Sequence, residues 1–174
     1  QTEEKIKEGG NLRYFGDGYQ ISKLYSGRRF WRIPIMSGEF LIEESFGIKK
    51  GLGGGNFIII GKDSQTALEA AEKAVSAVRR LDDVIMPFPG GIVSSGSKVS
   101  SKYKFLNAST NTPYCPTIKT QVEESMVPKN AGSVLEIFID GLSTEAVSNA
   151  AAVGIKNACI PGIIKITAGN YGGD

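Results

Sequence analysis

Two separated stretches of this chain follow the same pattern, and the repetition limits the folds open to it. In the first, NFIII at 56–60 reads as a buried strand, followed by the turn Gly61-Lys62-Asp63. A helix then starts with Asp63 or Ser64 as its cap. Apolar residues at 67, 68, 71, 74, 75, 78 and 81 recur at helical spacing on an Ala-rich face, and a new strand opens at Val84. In the second, SVLEIFI at 133–139 is the strand, Asp140-Gly141 the turn, and Ser143 or Thr144 the cap. A helical pattern runs from Ala146 to Ile155, Pro161 closes it, and IIKIT at 163–167 is the last strand. Two split β-α-β halves paired in one antiparallel sheet make an α+β, ferredoxin-like sandwich with both helices on one face.

The expected organisation is a segment of 1–54 and a ferredoxin-like lobe of 55–174, with a long insertion over 87–132. The first segment holds a β-hairpin, FWRIPIM at 30–36 and EFLIEESF at 39–46, with Pro34 marking an edge or bulged strand. Residues 1–13 read as a loose tail or as the exit from something upstream, and GLGGGN at 51–56 as a break in the pattern. The chain opens on Gln1 rather than Met, as a processed product or a piece of a longer protein would.

Helices on one face leave the other to be covered by something else, and that makes Glu136 a candidate. Alternation in 133–139 puts Leu135, Ile137 and Ile139 on one side and Val134, Glu136 and Phe138 on the other. The triply aliphatic side suits the helices. If a lobe or a subunit covers the opposite side, the Glu136 carboxyl is desolvated and its pKa rises, as a general acid requires. If nothing does, Glu136 is an ordinary half-exposed residue on a solvated strand. Both readings stand at the level of the residues.

Composition removes several classes of function. The 174 residues carry 20 basic and 18 acidic side chains, with no basic block and no zinc-finger spacing, so nucleic acid is not an expected partner. Apolar runs are too short for a membrane span. There is no histidine, which excludes His-dependent triads within the chain and most zinc sites, and no metal is expected. The two cysteines, Cys115 and Cys159, allow one disulfide at most and demand none, so a reducing compartment is the default. Neither GLGGG at 51–55 nor FGDGY at 15–19 completes a phosphate-binding or a calcium loop.

The stretch 87–117 is rich in Gly, Pro, Ser, Thr and Asn, yet apolar anchors such as Phe88, Ile92, Val93 and Tyr114 punctuate it. That mixture describes an ordered loop system rather than a linker. Lys98, with Lys102 and Lys104, forms a small positive patch that could meet an anionic substrate or simply serve solubility. Asn107, Ser109, Thr110 and Asn111 suit an amide or a pterin-like heterocycle, or their own backbone.

Several phrases together resemble one family. FGDGYQ at 15–20, RRFWRIPI at 28–35, GEFLIEESFGI at 38–48, GGGNF at 53–57, PFPGGIVSSGSKVSSK at 87–102, FLNASTNTPYCPT at 105–117 and ITAGNYGG at 166–173 are similar, in this order, to formylmethanofuran:tetrahydromethanopterin formyltransferases. That family is longer, at about 300 residues, a size that fits two lobes. The present chain resembles the second lobe and the segment before it, without the first lobe and a short C-terminal tail. The resemblance implies a cytoplasmic, homotetrameric acyltransferase of two ferredoxin-like lobes. It would move a formyl group between the amine of methanofuran and N5 of tetrahydromethanopterin in archaeal and methylotrophic one-carbon metabolism, including methanogenesis. It would use these coenzymes as substrates and need no prosthetic group.

The family's proposed catalytic carboxylate lies in a strand of the form Tyr-Glu-Ile-hydrophobic-Ile. Here Leu135-Glu136-Ile137-Phe138-Ile139 matches except at its first residue, which assigns that role to Glu136. Ser94, Ser95, Ser97, Lys98, Asn107, Ser109, Thr110, Asn111 and Tyr114 are the expected substrate-binding residues. The alternative is a non-catalytic assembly or binding lobe of a larger formyltransferase/hydrolase complex.

Overall fold

The computed structural model describes residues 3–94, 96, 98–99 and 101–169. The chain divides into two compact units, 1–50 and 51–174. Its architecture is mixed α/β, with antiparallel sheets and few helices.

In the first unit, β1 (Lys5–Ile6), α1 (Glu8–Leu12), β2 (Ile21–Tyr25), β3 (Arg28–Ile35), β4 (Gly38–Glu43) and β5 (Phe46–Gly47) follow one another. The first residues are not the loose tail expected of them. β1 pairs antiparallel with β5, and Gly9 and Gly10 are buried. The reason lies at Gly9, where a Cβ would sit 1.9 Å from the Glu43 carbonyl oxygen, so only glycine lets α1 lie against that backbone. Strands β2, β3 and β4 form an antiparallel meander with β3 in the middle, despite Pro34. The proline is tolerated because β2 pairs with β3 only from Arg28 to Arg32, so Pro34 lies past the end of that ladder. Paired Arg28–Glu43 and Arg32–Glu39 side chains cross the β3–β4 ladder.

The second unit is built on four strands in the order β11-β6-β10-β7, every pair antiparallel. They are β6 (Leu52–Gly61), β7 (Val84–Ile85), β10 (Ser133–Gly141) and β11 (Ile163–Thr167). The helices are α2 (Ser64–Val78) and α3 (Thr144–Ala158). Each starts at the residue whose side chain can cap it: Asp63 accepts from the Thr66 N–H, and Ser143 from the Ala146 N–H. The glycines at 51–55 do not break the sheet. β6 runs through them from Leu52, and their missing side chains let the Asp140 carboxylate accept a hydrogen bond of 2.9 Å from the Gly54 N–H.

Alternation along β6 and β10 sorts the side chains into two layers. Phe57, Ile59, Ile137 and Ile139 meet Ala70, Ala71, Ala74, Val75 and Val78 of α2 and Val147, Ala150 and Ala158 of α3. Ile58, Ile60 and Val134 face the other way and pack with Val127, Ala131, Tyr114 and Ile164. Much of the second layer is supplied by the chain's own insertion, through Tyr114, Val127 and Ala131. Fully burying one such aliphatic side chain contributes about 1.5–3 kcal/mol, so Val127 is one of the anchors that hold the insertion on the sheet.

Candidate functional site

Glu136 occupies the middle of β10, opposite Ile58 of β6, on the face turned away from the helices. Its exposure is 2%, which removes the reading of a half-exposed strand residue. On its other edge the backbone is bridged to Val93. The Val93 N–H donates to the Glu136 carbonyl at 2.8 Å, and the Glu136 N–H donates to the Val93 carbonyl at 2.8 Å. This bridge lies beyond β7 on the same side of β10, so the start of the insertion continues the sheet. Phe88, a few residues earlier, packs on Phe138 with ring centroids 5.3 Å apart.

The rest of the cover comes from 110–131. Two short 3-10 turns, each with a proline near its start, fold the backbone compactly at Thr112–Tyr114 and Pro116–Ile118. Lys119 extends its ammonium to the carbonyls of Ala131 at 2.7 Å and Lys129 at 2.9 Å, tying the middle of the covering segment to its C-terminal end. β8 (Lys98–Val99) pairs antiparallel with β9 (Ala108–Ser109), which returns the chain to Thr110 and Asn111.

A cavity of about 40 Å³ opens beside Glu136. Its polar lining comes from Glu136, Asn111, Thr110, Ser94, Tyr114 and Cys115. Ile58, Val93 and Val134 are among its apolar walls. Asn111 is 5% exposed, whereas Ser94 and Thr110 are exposed, so the deep end of the cavity is the carboxyl and the amide. Gly96 has φ +52, and a Cβ there would stand 3.1 Å from Asn111 Cβ, so glycine allows the loop to close against that residue.

The structure thus gathers Glu136, Ser94, Thr110, Asn111 and Tyr114 around one space. Lys98, Asn107 and Ser109 do not line it. Lys98 donates instead to Thr112 Oγ1 at 3.1 Å, Asn107 is exposed, and Ser109 lies in β9. Ser95 and Ser97 lie outside the described residues. Sequence reasoning missed the roles of Val93, Gly96 and Cys115. For Val93 a signal existed, since the β-branched pair Ile92-Val93 after two glycines reads as a short strand. For Cys115 none did. The described cysteines are free thiols, and Cys115 Sγ lies 3.2 Å from Thr117 Oγ1. Among the described residues no cluster of three or more His, Cys, Asp or Glu forms, and no helix is long and apolar enough to cross a membrane.

Comparison with known proteins decides what this arrangement belongs to. The family described as "FTR, proximal lobe" matches residues 38–174, and "Formylmethanofuran-tetrahydromethanopterin formyltransferase" matches 1–35. The chain belongs to the formylmethanofuran–tetrahydromethanopterin formyltransferase family. The curated formyltransferase of Methanothermobacter thermautotrophicus is 55% identical over 174 residues, covering 99% of this chain and 59% of the relative. That of Methylococcus capsulatus is also 55% identical, covering 98% and 58%. The solved formyltransferase of Methanosarcina barkeri matches with a TM-score of 0.72 at 45% identity, over 99% of this chain and 59% of that one. A chain of the formyltransferase/hydrolase complex of Methylorubrum extorquens, solved with methylofuran, matches with a TM-score of 0.71 at 44% identity, over 100% and 59%. The chain therefore spans rather more than half the length of these relatives. The family's proximal-lobe description covers the whole stretch that builds the Glu136 cavity.

Proposed function

We propose that this protein catalyses the reversible transfer of a formyl group from formylmethanofuran to N5 of tetrahydromethanopterin, with Glu136 as the acid. The observation that carries the reading is the burial of Glu136 at the deep end of a small polar cavity, in a chain so similar to curated formyltransferases. The pterin nitrogen attacks the formyl carbon and gives a tetrahedral intermediate. The carbon–nitrogen bond to methanofuran then breaks, the leaving amine takes up a proton, and N5 releases one. Negative charge gathers on the formyl oxygen in between and needs donors already in place. Glu136, acting as the acid, supplies one. Asn111 and Thr110, which line the same cavity, are the further donors this reading calls on. Alignment of two bound coenzymes in a site shut off from water lowers the rest of the barrier.

The strand order β11-β6-β10-β7, with α2 and α3 on one face, supports reading the second unit as a ferredoxin-like lobe. In that reading 1–54 and 55–174 are distinct parts, and 87–132 is the insertion that carries the site's cover. The wider reading is of a cytoplasmic homotetramer whose remaining substrate contacts, including any from Lys98, Asn107, Ser109, Ser95 and Ser97, form in the assembled enzyme. The chemistry calls on neither a metal nor a prosthetic group. Membership of a formyltransferase/hydrolase complex is a second reading, favoured by the likeness to the Methylorubrum extorquens chain. The test is formyl transfer between the two coenzymes by the intact protein and its Glu136→Gln variant. Loss of turnover in a folded variant is expected, and turnover near that of the wild type would sink the assignment.

A further inference from the structure

We propose that Gly91 is a positioning residue for the formyl transfer: its bare backbone lets the chain pass against α2 and brings Val93 to the edge of β10 at Glu136. The inference rests on the formyltransferase reading above. Glu136 is held on one edge by β6, through its pairing with Ile58. β7 reaches β10 only at Asp140 and Gly141. Among the described residues, the hold on the other edge at Glu136 is therefore the bridge to Val93. The chain comes to this bridge from Phe88, whose ring packs on Phe138 of the same strand. Between these two anchors Ile92 packs on the helical layer, and the next residue, Val93, lines the cavity. The backbone thus runs along the boundary between the two layers.

Two glycines make the passage, for different reasons. Gly90 has φ +72 and open space around it, so it needs only the left-handed backbone. Gly91 is buried, has φ +80, and meets a second demand. A Cβ there would lie 3.1 Å from Val75 Cγ2, 3.2 Å from Val75 Cγ1 and 3.3 Å from Met86 Sδ. Met86 is flexible and can move its thioether aside. Val75 cannot retreat. It is 4% exposed among Ala71, Ala74 and Val78, and a helical valine has one strongly preferred rotamer. A side chain at position 91 is therefore relieved by movement of the loop, and Val93 follows two residues later. Displacing Val93 weakens the two backbone hydrogen bonds of 2.8 Å that fix Glu136. No group that meets a coenzyme is removed in the process.

The experiment measures kcat and kcat/KM for formyl transfer, per folded molecule, in the intact protein and in its Gly91→Ala and Gly91→Ala/Val75→Ala variants. A small misplacement of a catalytic group costs up to about 100-fold in rate, so Gly91→Ala should lower kcat by about 10–100-fold. The value of kcat/KM should fall with it, the mark of an interaction lost only in the transition state. Removing the Val75 methyls should restore turnover in the double variant, although it thins the core. Turnover near that of the wild type in Gly91→Ala, or a folded double variant no faster than it, overturns the role of Gly91. If Gly91→Ala does not fold, Val75→Ile carries the test, since it crowds the same contact from the helix and keeps the glycine. There kcat and kcat/KM should again fall together, and unchanged values overturn the role. Absence of formyl transfer by the wild type overturns the function itself. Faster exchange of the Val93 and Glu136 amide hydrogens in Gly91→Ala would then still uphold the hold of Gly91 on the bridge, and unchanged exchange would overturn it.

Discussion

The two faces of the four-stranded sheet are made by the same strands and come out chemically opposite. Beneath α2 and α3 the buried cluster is Phe, Ile, Val and Ala, and among the described residues the one buried ionisable side chain, Glu136, lies on the other face. Across the sheet, one residue away along β10, the buried set includes a carboxyl and, from the insertion, an amide. A regular helix brings its own satisfied backbone and needs only apolar partners. An irregular cover of short turns brings many backbone and side-chain polar groups, and can enclose a polar cavity without leaving the sheet edge open. The helical face is therefore the scaffold and the covered face the place for chemistry.

The largest effect should separate the faces by function. Glu136→Gln in the intact protein should lower formyl transfer by about 10²–10⁴-fold, the usual contribution of a positioned acid, while circular dichroism reports an intact fold. Ile139→Ala, three positions along the same strand but on the helical face, should do the reverse. It removes a fully buried side chain from the larger cluster and should cost about 2–5 kcal/mol in denaturant unfolding. Any surviving folded fraction should turn over normally. If Ile139→Ala impaired turnover per folded molecule as severely as Glu136→Gln, the division of labour between the faces would be wrong.

Legibility in the sequence also divided by face. The helical side was readable because its determinants are local: the periodicity of 67–81, the caps at Asp63 and Ser143, and the alternation of 133–139 that put Leu135, Ile137 and Ile139 together. The same alternation placed Glu136 on the far face, and composition showed 87–117 to be anchored rather than loose. The cover itself was not readable. It depends on long-range pairings such as Val93 with Glu136 and Lys119 with Ala131, which no periodicity announces. Gly9 and the glycines of 51–55 misled for a related reason, since each is a close backbone approach whose partner is far away in sequence. The family resemblance supplied a role for Glu136 that burial alone does not give.

A smaller effect probes how tightly the helical face is shut. Gly154 of α3 is buried, and a Cβ there would lie 2.8 Å from Phe57 Cζ and 3.2 Å from Val78 Cγ2. In an open helix Gly→Ala would stabilise by about 0.5–1 kcal/mol. Here the ring of Phe57 is 1% exposed and has nowhere to move, so the overpacking cost of about 1–3 kcal/mol prevails. Gly154→Ala should lower unfolding stability by about 1 kcal/mol net, leaving turnover per folded molecule unaltered. A stabilised variant would show that the helices sit less closely on the sheet than their glycine implies.

The smallest effect distinguishes the two β-α-β units themselves, through caps of different charge. Ser143 accepts from the Ala146 N–H at 3.1 Å, and Ser143→Ala should cost about 1 kcal/mol, the same at every pH. Asp63 accepts from the Thr66 N–H at 2.8 Å. That backbone hydrogen bond, then the Thr66 side chain, holds its carboxyl below the ordinary value of 3.8. A group whose folded pKa is depressed stabilises above its unfolded value and loses that stabilisation as pH falls through the folded one. Asp63→Asn should therefore be less stable than wild type at pH 7, and the gap should shrink below pH 3.8. Chemical unfolding curves for the two variants across this range separate the cases. A Ser143→Ala deficit that followed pH, or an Asp63→Asn deficit that did not, would mean that the two helix starts are held by something other than their caps.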